Sequence, residues 1–118
     1  MIEYEPGSND QPQGLSAYDQ ELEIVGANPM RLQTLDLARH SVAAPDGTRV
    51  VIATINDTHM NRGYVTAVYP QQNNLTLLRL MIKDFRSETA EDAVDLHVRL
   101  TEAVQQGKLD AIRQGQIH

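Results

Sequence analysis

The chain predicts an α+β domain: an antiparallel β-meander of three to four strands packed against a long C-terminal helix, with a short helix ahead of the sheet. Three observations predict it. Runs of β-forming apolar residues follow one another at 48–55, 64–69 and 75–82, joined by short polar connections. The last third of the chain then changes to apolar spacings of three and four, the period of an amphipathic helix. At 118 residues the chain can bury one core but is too short for two ordinary domains.

Residues 1–17 combine Pro6, Gly7, Pro12 and Gly14 with polar side chains. They offer little apolar surface against the entropy of ordering, which predicts a disordered acidic tail followed by a single domain over 18–118. Glu21 to Val25 alternates enough for a short edge strand that Gly26 ends. Asn28-Pro29 has the chemistry of a helix start, a capping Asn followed by a proline whose missing amide costs nothing in the first turn. With Leu32, Leu35 and Ala38 at helical spacing, a helix is expected over 29–40. A strand is the alternative, because Leu35 and Leu37 also share the period of two.

Ala44-Pro45-Asp46-Gly47 is a turn, with Pro setting φ and Gly supplying a left-handed position. The strand at 48–55 carries branched residues on both faces and suits burial on both sides. Residues 56–63 form a polar loop ending in Gly63, the strand at 64–69 stops at Pro70, and 71–74 turn the chain into the third run, continued to Lys83. Thr89 is the expected N-cap of the last long helix, with Ser87 competing, and Glu91 and Asp92 favour its positive end. Ala90, Ala93, His97, Leu100 and Val104 form its apolar stripe to about Gln106, and Leu109 with Ile112 predicts one more short helix after Gly107.

Composition excludes several functions. Cysteine is absent, which removes disulfides, thiolate catalysis and Cys-based zinc sites and suits a reducing cytoplasm. The first residues lack a basic segment followed by an apolar one, and no stretch is long enough to span a bilayer, so a soluble cytoplasmic protein without a membrane partner is expected. A net charge of −6 opposes binding to phosphate backbones, which makes nucleic acid an unfavourable partner. No phosphate loop, dinucleotide fingerprint or nucleophile elbow occurs, and no cofactor or metal is expected.

Four histidines remain as candidates for chemistry: His40, His59, His97 and His118. His97 lies on the apolar stripe of the C-terminal helix, where a half-buried imidazole could serve as base, ligand or pH sensor. The plainer reading is a core histidine whose ring nitrogens are satisfied by a backbone carbonyl or a strand side chain. His59 shares a loop with Asn56, Asp57 and Asn61, a polar cluster that ordinary loop chemistry also explains. His118 is terminal and is assigned nothing.

His40, Arg49, Thr66 and Tyr69 together would supply an acid or base, a phosphate clamp and hydroxyl groups, an inventory that could cleave RNA by proton transfer. The order of an early helix, a histidine and strands ending in Gly63-Tyr64-Val65-Thr66-Ala67-Val68-Tyr69-Pro70 resembles small barnase-related and RelE-like ribonuclease toxins. That resemblance implies a ribonuclease site on those four residues. The chain departs from the pattern in being acidic and in adding a strand and a long helix.

Apolar supply points elsewhere. Strands apolar on both faces in a domain with few helices leave surface to cover, and such surface on a small domain marks a protein interface, most often a two-fold homodimer. Leu75, Leu77 and Met81 are the expected interface residues. The sequence therefore favours a small protein acting by association, as an adaptor, chaperone, inhibitor or regulatory subunit, with the ribonuclease as alternative.

Overall fold

The computed structural model describes residues 22–71 and 82–117. The tail at 1–17 and the expected strand at 75–82 lie outside the described residues, apart from Ile82 at its end. Five strands form one antiparallel sheet in chain order: β1 (Asn28–Pro29), β2 (Asp36–Ala43), β3 (Arg49–Asn56), β4 (Tyr64–Pro70) and β5 (Lys83–Ser87). Helix α1 (Ala90–Gln105) crosses one face of this sheet, and the short helix α2 (Leu109–Arg113) packs against α1. The α+β class and the pairing of a meander with a long C-terminal helix are as expected, with five strands in place of three or four.

In place of the helix expected at 29–40, the chain forms two strands separated by an irregular stretch and a turn at Thr34 and Leu35. Asn28 and Pro29 pair with Ser41 and His40, and residues 36–43 pair with β3 along their length. Proline is tolerated in β1 because that strand lies at the sheet edge, where a missing amide need not break a ladder. Helix propensity yielded to the ladder offered by β3; of the two residues that carry the alternative strand pattern, Leu35 lies in the turn before β2 and Leu37 at its bulge, and the alternation that faces the core is Ala38, His40 and Val42. The bulge between Asp36 and Ala38 shifts one residue out of register and obscures that period at its start. Residues 22–25 form no strand either: Leu22 to Ile24 lead into a turn at Gly26, which has φ +82.

Elsewhere local chemistry and structure agree. The turn between β2 and β3 closes with Ala44 N–H donating to the Thr48 carbonyl at 2.7 Å, and Gly47 occupies the left-handed region at φ +91. Thr89 caps α1, its Oγ1 accepting from the Asp92 amide at 3.1 Å. Strand β5 carries a single apolar residue, Phe85, between Asp84 and Arg86. Its polarity suits an edge and conceals it from an apolar-run search.

The core lies between the sheet and α1. Val42, Val50, Ile52 and Val68 meet Leu96, Leu100 and Val104 there, with Ile112 closing one end. The register places Ala38, His40 and Val42 of β2, Val50, Ile52 and Thr54 of β3, and Thr66 and Val68 of β4 on this same inner face. Burying each large aliphatic side chain contributes roughly 1.5–3 kcal/mol. Val51, Ala53 and Ala67 are buried on the outer face, beside half-buried Ile55, Val65 and Tyr69. No described helix or strand packs against that face.

Candidate functional site

A chain of polar side chains runs through this apolar core. His40 Nδ1 and His97 Nε2 share a hydrogen bond of 2.8 Å, His97 Nδ1 and Thr54 Oγ1 another of 2.8 Å, and Thr54 Oγ1 and Thr66 Oγ1 a third of 2.8 Å. The two imidazoles meet edge to face, with ring centroids 4.9 Å apart and planes at 61°. His97, Thr54 and Thr66 are fully buried and His40 is 2% exposed. One turn further along α1, Thr101 Oγ1 donates to the His97 carbonyl at 2.8 Å, which satisfies a hydroxyl that would otherwise be stranded.

Local sequence explains each position. His97 falls in line with Ala93, Leu100 and Val104 on the inward stripe of α1. Thr54 and Thr66 are direct cross-strand partners, so their hydroxyls meet above the sheet. His40 pairs with Ile52, one step of the pleat away from Thr54, and so comes under the same part of the helix.

Burial sets the protonation of both rings. Loss of water pushes His97 down to about 3, assisted by the neighbouring His40. Burial also lowers His40, and the Leu22 backbone acts in the opposite direction without closing a hydrogen bond to the ring. His40 Nε2 has no hydrogen-bond partner among the described residues. Both rings are therefore neutral near pH 7, and each shared hydrogen bond uses one N–H or O–H and one lone pair. The chain of donors can run in either sense. With the proton of His40 on Nε2, donation runs from Thr66 through Thr54 and His97 to His40.

The ribonuclease inventory is divided by the sheet. His40 and Thr66 lie inside the core, whereas Tyr69 pairs with Val51 on the outer face. Arg49 Nη2 donates to Ser41 Oγ at 3.0 Å on that outer face, and Ser41 Oγ donates to Gln71 Oε1. A general base and a phosphate clamp must reach the same phosphodiester, and these groups stand on opposite sides of a β-sheet.

In the loop after β3, Asn56 Oδ1 accepts from the amide and hydroxyl of Thr58, at 3.0 and 2.6 Å. Arg62 Nε pairs with Asp57 Oδ2 at 2.7 Å, and His59 Nδ1 is 4.0 Å from Asp57 Oδ1. This cluster organises its own loop. Among the described residues, no group of three or more His, Asp or Glu side chains could hold a metal ion. The expected interface residues Leu75, Leu77 and Met81 lie outside the described residues, as does His118. Between β5 and α1 runs an open groove lined by Arg86, Ser87, Asp92, Asp95, Leu96 and Arg99, with charges of both signs and no paired nucleophile and base.

The sequence predicts a core His97 satisfied by a backbone carbonyl or a strand side chain, and Thr54 is one such side chain. The link from His97 to His40 was missed. Reading 29–40 as a helix removed His40 from the alternation Ala38, His40, Val42, and that alternation was the available signal.

No described helix is long and apolar enough to cross a membrane. Comparison with protein-family models, curated proteins and solved structures finds no match for this chain.

Proposed function

We propose that this protein works by protein association, with a second copy of itself or another protein, and that its sheet carries the contact. The observation behind this reading is the contrast between the faces of the sheet. The inner face is filled by α1 and a buried polar network, while the outer face carries Ile55, Val65 and Tyr69 half-buried around Val51, Ala53 and Ala67, with no described element packed on it. The part of this face left accessible, at Ile55, Val65 and Tyr69, is apolar in character and favours a partner. An interface of ordinary size buries roughly 800 Å² on each side, about what one face of a small sheet and its connections can present. The adaptor, chaperone, inhibitor and regulatory roles all fit such a contact. A cytoplasmic setting belongs to the same proposal, supported by the cysteine-free composition.

Sedimentation equilibrium across micromolar concentrations tests the self-association arm. The expected result is a dimer mass that reverts to one chain when Val65→Lys and Tyr69→Ala are introduced together. A single-chain mass throughout, with no saturable protein partner for the wild type that the double variant loses, would sink the proposal. Turnover of RNA that disappears in Arg49→Ala would favour the ribonuclease instead.

A further inference from the structure

The His40–His97 contact stands where three parts of the fold meet. His40 belongs to β2 and His97 to α1. The third part is the 22–27 segment, whose Leu22 backbone influences His40 and which α1 holds through Gln105 Nε2 donating to the Val25 carbonyl at 2.7 Å. Among the described residues, the polar contacts that tie the middle of α1 to the inner face of the sheet are those of the His97 ring, to His40 and to Thr54 Oγ1, and the contacts around them are apolar.

We propose that the His40–His97 pair is an acid-sensitive latch, which holds α1 and the 22–27 segment on the sheet while both imidazoles are neutral and opens the domain in mild acid. Two protonation steps act in the same direction. The first proton leaves the ring-to-ring hydrogen bond intact but places a cation in an apolar core. The second would set two N–H groups against each other across 2.8 Å, which removes the bond and adds repulsion.

Among the described residues, no negative charge that could offset this lies in the surroundings. The inward positions of β2, β3, β4 and α1 carry no carboxylate, and the ionisable groups at the margin of that face are Tyr64 at the start of β4 and Lys83 at the start of β5. Lys83 has the wrong sign to help. Asp36 and Arg39 of β2 pair with each other at 2.8 Å, with Arg39 opposite Ala53 on the outer face. Asp95 and Arg99 of α1, Glu23 of the 22–27 segment and Asp110 of α2 are exposed. An unfolded chain hydrates both imidazolium ions and so binds protons near pH 6.5, while the folded core holds His97 neutral down to about 3. Stability is therefore complete above about pH 6.5 and falls as the pH drops toward 3.

From pH 7 to pH 5, His97 alone raises the unfolding equilibrium constant by about 25-fold, and the lowering of His40 by burial acts in the same direction. Carboxylates titrate mostly below this window. Urea unfolding of the full chain at pH 7 and pH 5, compared with the His40→Gln/His97→Gln double variant, reads the effect. The expected result is a wild-type midpoint that falls sharply at pH 5 and a double-variant midpoint that falls much less. Equal shifts in the two proteins overturn the latch. Should the double variant not fold, imidazole ¹⁵N shifts of the wild type decide: both core rings neutral in the folded protein at pH 5 support the proposal, and either ring titrating near 6.5 without unfolding overturns it.

Discussion

His40 Nδ1 lies 2.8 Å from His97 Nε2 although 57 residues separate them in the chain. This one contact joins the second strand to the long helix, and through Thr54 and Thr66 it reaches the third and fourth strands as well. A buried polar chain of this kind stabilises when every member has a partner and becomes costly when one is removed.

His97→Leu is expected to lower stability by about 1–3 kcal/mol at pH 7, because the gain in apolar burial is smaller than the cost of stranding His40 Nδ1 and taking from Thr54 Oγ1 one of its two partners. Urea unfolding monitored by circular dichroism measures it. An unchanged midpoint would mean that the imidazole only fills space.

The two threonines are predicted to differ. Thr54 sits between His97 and Thr66, so Thr54→Val leaves a ring nitrogen and a hydroxyl without partners and should cost about 1–3 kcal/mol. Thr66→Val removes the end of the chain, with an expected loss of ~1 kcal/mol. Since the pair shares one hydrogen bond, the double variant should lose less than the sum of the singles in a double-mutant cycle. Strict additivity would argue against a connected network.

Gly63→Ala and Gly47→Ala separate a steric requirement from a conformational one. Both glycines have positive φ, at +68 and +91, but a Cβ on Gly63 would stand 2.6 Å from the Ser87 carbonyl oxygen while one on Gly47 meets nothing within 4 Å. The Gly47 substitution should cost about 1–2 kcal/mol for the left-handed backbone, and the Gly63 substitution clearly more, because backbone of β5 must move. Comparable thermal midpoints for the two variants would contradict that close approach.

Asp36 anchors the bulged start of β2, accepting from the Gln33 amide at 2.8 Å and from Arg39 Nε at 2.8 Å. Asp36→Asn keeps the shape and removes the charge, with an expected loss of about 1–3 kcal/mol because this carboxylate is buried. A loss of that size in wild type that vanishes in an Arg39→Met background would assign it to the ion pair, whereas the same loss in both backgrounds would assign it to the backbone contact.

Local chemistry by itself determined much of this fold. The turn at Ala44 to Gly47, the strands at 49–56 and 64–70, the Thr89 cap and the apolar stripe of the long helix are each set by residues within a few positions of one another, and the structure places them as that chemistry requires. The buried state of His97 followed from the same stripe. Tertiary structure decided the remainder. Residues 36–43 have an ambiguous period, and the hydrogen-bonding edge of the next strand, which no local window contains, turned them from helix to sheet. The polar strand at 83–87 exists because β4 offers it a ladder, not because its own residues demand one. The assembly of His40, Thr54, Thr66 and His97 depends on strand register and on where the helix crosses the sheet, since a shift of one residue in β2 would turn His40 to the opposite face and leave His97 without its partner.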